Sequence, residues 1–484
     1  MKSSLLLAAV CLALVPFRLS AATTHYVDAG GIHPVPPYTN WSTAATSIQD
    51  AIDVSTNGDT VLVTNGVYQT GGSAYWVTTY YPNYTVSTRV VVTKAITVRS
   101  VSGPAQTVIV GNLTDPFVYQ YTYQVWSASV RCVVLTNGAT LDGFTLTNGY
   151  SAGGGGGGVS SPSTNSMITN CIITHNTVDN FGGGGGAFSG TLNNCVLVAN
   201  HAPSEGGGAA SSVLNNCLLV GNIAAGGGGG SGGGAYSCVL NNCTVVTNLA
   251  SATGGGVASC TLNNCIVYDN IAAWEGKNSD PYWVSSFNYC CTTPMPTNGV
   301  GNITNDPVFV NLTNGDFHLQ AASRCINAGN NSSVVGSSDL DGNPRIRGGV
   351  VDMGAYEFQA QVTGTFSNWL QQYNLSTDGT ADCADSDSTG MINWQKWIAG
   401  LNPTNTASVL VMTSAASTNA SSGITVSWQS VPNRTYYLLR ASYLGAQSAY
   451  SAIQSNIVGQ AGTTSYTDAS ATNGVPYFYR VSVQ

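Results

Sequence analysis

Ile168-Thr169-Asn170-Cys171, Leu192-Asn193-Asn194-Cys195, Leu214-Asn215-Asn216-Cys217, Leu240-Asn241-Asn242-Cys243 and Leu262-Asn263-Asn264-Cys265 are five copies of one short unit. Their cysteines stand 24, 22, 26 and 22 residues apart. Each copy has an aliphatic residue three before the cysteine and asparagine immediately before it. An aliphatic residue recurs two after it (Ile173, Leu197, Leu219, Val245, Val267) and asparagine five after it (Asn176, Asn200, Asn222, Asn248, Asn270). Leu141-Asp142-Gly143-Phe144 reads as a variant one turn earlier. Glycine runs separate the units, and each meets a small apolar residue: Val159, Ala187, Ala209, Ala235 or Val257.

A period of 22–26 residues, with short apolar strands and no helical pattern, predicts a solenoid of β-coils. Coils stack about 4.8 Å apart, so equivalent residues form columns. Stacked asparagines have a physical reason, because an amide carries both donor and acceptor and tolerates the bend between strands. Variable repeat length is expected to fall in the glycine runs. A leucine-rich horseshoe shares this period but needs a return helix, which glycine runs cannot form.

Composition narrows the class. Charged residues make up 7% of the 484, against about a quarter in ordinary globular chains. Beyond the N-terminus no apolar run approaches the roughly 18 residues of a membrane-spanning helix, so no transmembrane span is expected. A sequence pI near 4.9 argues against a nucleic-acid partner. Residues 1–22 read as a signal peptide: Lys2, an apolar core from Leu5 to Val15, then Ser20-Ala21-Ala22. Its removal takes Lys2 and Arg18 from the 14 basic groups, leaving 12 against 22 acidic ones, a net of −10. The expected location is secreted, extracellular or at the outer cell surface, where disulfides are permitted.

The repeats resemble the right-handed parallel β-helix proteins with the pectin-lyase-like fold, more narrowly the large secreted β-helix set of Verrucomicrobia-type bacteria. The resemblance also takes in His25-Tyr26-Val27-Asp28, Gly58-Asp59-Thr60-Val61, Asp306-Pro307-Val308-Phe309 and Cys325-Ile326-Asn327-Ala328-Gly329. Asp339-Leu340-Asp341-Gly342-Asn343-Pro344-Arg345 and Val351-Asp352-Met353-Gly354-Ala355-Tyr356-Glu357 resemble the closing module called choice-of-anchor Q. Gly184 to Phe188 and Gly232 to Tyr236 are similar to repeats of chlamydial polymorphic membrane proteins, which are surface adhesins. The resemblance implies an all-β protein: a right-handed parallel β-helix with an N-terminal cap helix, then a small β-sandwich.

The expected divisions are a cap over 23–95, coils over 96–300, a closing region over 301–359, a linker over 360–404 and a sandwich over 405–484. Trp41, Ala44, Ala45, Ile48, Ala51 and Ile52 have helical spacing, with Ser42 or Thr43 as cap. Tyr68, Tyr75, Tyr80, Tyr81 and Tyr84 form a tyrosine-rich stretch, read as either a sugar contact or a plain cap surface. A short helix is expected over Phe366 to Tyr373. The alternating stretch from Ile424 to Val483 looks like a fibronectin type III domain with Trp428 at its core.

Residues 385–396 are close to an EF-hand-type loop. Asp385, Asp387, Thr389, Met391 (through its carbonyl) and Asn393 stand at ligand positions 1, 3, 5, 7 and 9, with Gly390 at 6. The stretch resembles calcium loops that precede the C-terminal domain in this family, so Ca²⁺ is the expected cofactor. Position 5 is Thr389, where aspartate is usual. Position 12 is Lys396, where an acid is usual. Asp378 and Asp382 are candidate substitutes. The loop is either a calcium site or a degenerate linker that keeps its fold without metal.

Two enzyme classes share the fold. A lyase needs acidic calcium ligands and a base. A hydrolase needs carboxylates converging on one face. Between Arg131 and Lys277 there is no Lys or Arg. Asp179, Glu205 and Asp269 fall at different phases of the repeat, and His175 and His201 are unstacked. No catalytic residue is therefore assigned. Asp339, Asp341, Arg345, Asp352 and Glu357 read as a buried network closing the last coil, with an acid–base or metal site as the rival. The expected function is a non-catalytic scaffold or adhesin-like protein whose partner is an extracellular polysaccharide or a surface protein. The alternative is a polysaccharide lyase or glycoside hydrolase. Cys171, Cys195, Cys217, Cys243 and Cys265 should form an inward column of thiols, with Cys238 and Cys260 as a second. Cys291 with Cys325 is the better candidate for a bridge.

Overall fold

The computed structural model describes residues 21–77, 84–112, 129–152, 154–162, 165–179, 182–226, 229–282, 284–347, 350–359, 364–377, 379–416, 423–442, 450–472 and 476–483. Nearly all of the proposed leader lies outside these. The chain is a parallel β-helix with four faces, followed by small antiparallel sheets.

One repeat shows how the sequence makes a coil. Thr191–Asn193 lies on face 1, Val196–Val198 on face 2, His201–Ala202 on face 3 and Ala209–Ala210 on face 4. Each pairs in parallel with its equivalents in neighbouring coils: Leu192 with Leu214, Leu197 with Leu219, Ala209 with Ala235. Face 1 has ten strands, from Thr24–Val27 to Ser286–Asn288. Face 2 has nine, face 3 six and face 4 eight. Leu141 pairs with Ile168, so the variant unit is one turn of the same stack. The first strand of face 1 already lies at Thr24, within the stretch read as cap.

Alternation sends the aliphatic residues inward. Leu192, Leu214, Leu240, Leu262, Leu197, Leu219 and Val245 are fully buried, each contributing about 2 kcal/mol of transfer free energy. Cys171, Cys195, Cys217, Cys243, Cys265 and Cys290 form one buried column, and Cys238 and Cys260 a second; all are free thiols. Each Cys217, Cys243 and Cys265 N–H points to the next coil's Sγ at 3.3–3.4 Å. Cys291 and Cys325 share one apolar cluster and are also free thiols.

The asparagines of the units, three in each of the last four and two in the first, have three roles. The one before the cysteine turns the corner between faces 1 and 2: Asn170, Asn194, Asn216, Asn242 and Asn264 all have φ of 51–55°, a left-handed conformation that asparagine tolerates. The one before that points outward, and Asn193, Asn215, Asn241 and Asn263 are joined by hydrogen bonds of 2.9–3.0 Å, each Nδ2 donating to the preceding coil's Oδ1. The third points inward in a buried ladder from Asn176 to Asn278. The extra residues of the 26-residue repeat fall in the loop before Ser231, since Ser231 still pairs with Glu205 and Thr253.

At the N-terminus the helical reading holds over part of its length. A 3-10 turn spans Trp41–Thr43, capped by Asn40, and helix α1 spans Ile48–Val54, capped by Ser47. Ser42 and Thr43 cap neither, because Ala45 extends to pair with Val27 and interrupts the helix.

Past the last coil, an antiparallel hairpin of Phe309–Asn311 and Asp316–Leu319 opens the closing region. Residues 325–347 and 350–358 then lie along face 2. The side chains of Asn216, Asn242 and Asn264 donate to Val335, Asp352 and Asn330 carbonyls, and Ala355 N donates to Thr244 Oγ1. Helices α2 (Gly364–Gln372) and α3 (Asn393–Ala399) flank the linker loop. Two three-stranded sheets complete the chain and share a core of Val426, Trp428, Tyr436 and Leu438. No helix among the described residues is long and apolar enough to cross a membrane.

Candidate functional site

Three polar constellations emerge from this frame. The first is the linker loop. Asp385 Oδ1 accepts from Thr389 N at 3.1 Å and its Oδ2 from Gly390 N at 2.6 Å. Asp387 Oδ1 accepts from Thr389 Oγ1 at 2.8 Å, and its Oδ2 pairs with the Lys396 ammonium. Asn393 turns its Nδ2 to Ala381 O (2.7 Å) and Ser386 Oγ (2.8 Å). Met391 is half-buried. Asp382 pairs instead with Arg347 at 2.7 Å, and Asp378 lies outside the described residues. Asp385 and Asp387 thus spend their oxygens on the loop's own N–H and O–H groups and on Lys396, the Thr389 hydroxyl donates to Asp387, and the buried Asn393 Oδ1 alone takes no hydrogen bond among these side chains. As arranged, the residues do not fit a calcium ion, which takes 6–8 oxygen ligands.

The second is the closing region. Asp352 accepts from Asn327 N and Phe358 N, both at 2.7 Å. Glu357 accepts from Arg347 N at 3.0 Å and pairs with Arg345 at 3.2 Å. Asp339 accepts from Asn343 N and Glu357 N. Arg345 donates to the Ala355 carbonyl. Arg345, Asp352, Glu357 and Asp339 are all buried, and burial pushes the Asp352 carboxyl up to about 6. These carboxylates satisfy backbone amides that have no strand partner, the role of a structural clasp. On its exposed rim His318 bridges Asp316 and Asp341, each at 2.6 Å, beneath the Tyr356 ring.

The third lies on the outside of face 4 and was not legible from repeat phase. Glu205, Ser231, Thr253 and Glu275 pair in succession along one row. Val257 pairs with Ser279, which puts Asp280 two coils past Tyr236. Tyr236 lies between them: burial, then the neighbouring Glu205 carboxylate, then Asp280 raise its hydroxyl above the ordinary range. Ser231 and Thr253 hydroxyls meet at 3.1 Å, and Thr253 donates to Asp280. Trp274 and Tyr282 stand 75% and 71% exposed, and the neighbouring Glu275 carboxylate raises the Tyr282 hydroxyl above its ordinary range.

The other singled-out residues are scattered. His175 and Asp269 occupy left-handed corners between faces 2 and 3, with φ of 54° and 51°. His201 bonds the Ala225 carbonyl at 3.1 Å. Tyr68 is buried and donates to Thr64 O. Tyr80 and Tyr81, and the side chains of Tyr75 and Tyr84, lie outside the described residues. Among the described residues no three His, Cys, Asp or Glu side chains are grouped to hold a metal ion.

No protein-family model matches this chain. No curated protein matches it either. Among solved structures it is similar to pectate lyase Pel9A, at 15% identity and a TM-score of 0.42, over 70% of this chain and 97% of that one. It is also similar to a rhamnogalacturonan lyase (12% identity, TM-score 0.29, 56% and 68% covered) and to Escherichia coli ybhc (10%, 0.27, 62% and 81%). The coil register of this chain, rather than those likenesses, defines its fold.

Proposed function

We propose that the protein is a secreted or cell-surface, non-catalytic β-helix scaffold, adhesin-like, that binds extracellular polysaccharide through face 4. The supporting observation is the exposed pair Trp274 and Tyr282 beside Glu275, which stands in the same row as Glu205. Flat rings with a polar edge stack on sugar rings, and carboxylates accept sugar hydroxyls. With no Lys or Arg between Arg131 and Lys277, a uronate carboxylate meets no cation there, so neutral sugars suit the surface best.

The alternative, a polysaccharide lyase or glycoside hydrolase, is favoured by one observation: Glu205 and Asp280 approach Tyr236 from opposite directions, placing two carboxylates on one face. The test is the mature protein on neutral and acidic glycan arrays, with a parallel assay for unsaturated or reducing ends. Binding to neutral glycans, weakened up to roughly tenfold by Trp274→Ala or Tyr282→Ala, supports the scaffold. Turnover abolished by Glu205→Gln or Asp280→Asn replaces it with the enzyme.

A further inference from the structure

We propose that Lys396 is the resident cation of the linker loop, taking the place of the divalent ion that an EF-hand-type loop would hold. Lys396 stands at position 12, counted from Asp385. Its side chain is 0% exposed and that of its partner Asp387 is 2%. A buried ammonium persists only where it is paired and hydrogen-bonded. Here it meets both conditions, bonding Asp387 Oδ2 and the Ser408 carbonyl at 3.3 Å.

The rest of the loop is consistent with that assignment. Asp385 caps the N–H groups of Thr389 and Gly390, which holds the turn that a metal would otherwise shape. Asn393, at a ligand position, presents its amide donors to Ala381 O and Ser386 Oγ. A divalent ion on Asp387 would sit within a few ångströms of the buried ammonium, and the repulsion between the two cations opposes its binding.

The loop is also a joint. On one side Arg347 pairs with Asp382, Asn327 donates to the Cys383 carbonyl and Gln395 donates to Ala321 O, all tying it to the closing region. On the other, Lys396 reaches Ser408, and Arg434 donates to the Trp397 carbonyl, tying it to the final sheets. Lys396 therefore makes the connection between solenoid and terminal sheets independent of calcium.

The full mature chain tests this. Wild type should unfold at the same temperature in EDTA and in excess calcium, with no one-site heat on calcium titration. Lys396→Gln should lower the unfolding temperature in EDTA. Lys396→Glu, which restores an acid at position 12, should be destabilised in EDTA and recover with calcium. A calcium-dependent shift or one-site binding in wild type overturns the assignment, as does a Lys396→Gln chain as stable as wild type. A Lys396→Glu chain that calcium neither binds nor stabilises overturns the claim that the lysine replaces a metal. Asp387→Asn, which strands the ammonium, should match the loss in Lys396→Gln; an unaffected Asp387→Asn chain also overturns it.

Discussion

Asn222 donates from Nδ2 to Asn248 Oδ1 at 2.9 Å, and the Asn222 N–H reaches the same oxygen at 2.9 Å. Asn200 makes the same two bonds to Asn222, while Asn222 Nδ2 also reaches back to the Leu197 carbonyl. Asn222→Leu would strand partners on both sides in a dry interior, where each unsatisfied group costs about 1–3 kcal/mol. The expected loss is roughly 3–5 kcal/mol by urea denaturation. Asn193→Ala, on the outward ladder, should cost roughly 0.5–1 kcal/mol because water replaces the amide. Equal losses would refute the distinction between the ladders.

The thiol column should be chemically silent. All five thiols are closed off from solvent, so no reagent reaches them in the native chain, and burial raises the Cys171 thiol well above its ordinary value, away from the thiolate that reacts. Native protein should resist alkylation at Cys171, Cys195, Cys217, Cys243 and Cys265. Denatured, unreduced protein should label all five. Mass spectrometry showing all five oxidised would contradict the column.

His318 should titrate late. A neutral imidazole has one donor, yet both nitrogens face carboxylates, so this geometry requires the charged ring. Burial opposes that charge, but the bonds to Asp341 and Asp316 outweigh it and the pKa is raised. The tie between hairpin and closing loop is therefore fully present below the unfolded value of about 6.5. It is lost as pH rises through the higher folded value. NMR titration should show the elevation, and Asp341→Asn should reduce it. An unshifted His318 would show that the bridge does not form in solution.

Arg345 is the cation among Asp339, Asp352 and Glu357. Arg345→Met would leave buried carboxylates without it, a loss of about 3–5 kcal/mol. Burial, with the neighbouring Asp352, already lifts Glu357 to about 9. Without Arg345 both acids favour their protonated forms still more, so the penalty should be larger at pH 8 than at pH 5. Urea midpoints at the two pH values decide it; a penalty that is larger at pH 5 would exclude this account.

The stack was legible because its period is written in residues that cannot be exchanged freely: the left-handed Asn194 and Asn216, the inward Asn200 and Asn222, the buried Leu192 and Leu214. That adjacent asparagines serve different columns was not, since a repeat shows recurrence and not side-chain direction. Glu205 seemed out of phase with the other acids because the loops between faces 3 and 4 vary in length, while parallel pairing resets the register on face 4; Asp280, past the last cysteine unit, was not singled out. The loop over 385–396 showed its ligand pattern in sequence, and Lys396 as an anomaly. Only burial shows that the anomaly completes the loop.

The clasp along face 2 also bears on how such a chain can change in length. Asn216, Asn242 and Asn264 belong to three successive coils, and each bonds a different point of the 330–355 segment. Duplicating or deleting a coil among these would shift every later tooth against its socket. Upstream of Asn216 the clasp has no such teeth among these asparagine corners, and a whole 22–26-residue unit can enter or leave with its own ladder bonds intact. Change in the number of coils is thereby confined to the part of the solenoid before Asn216, and the later coils act as a fixed gauge.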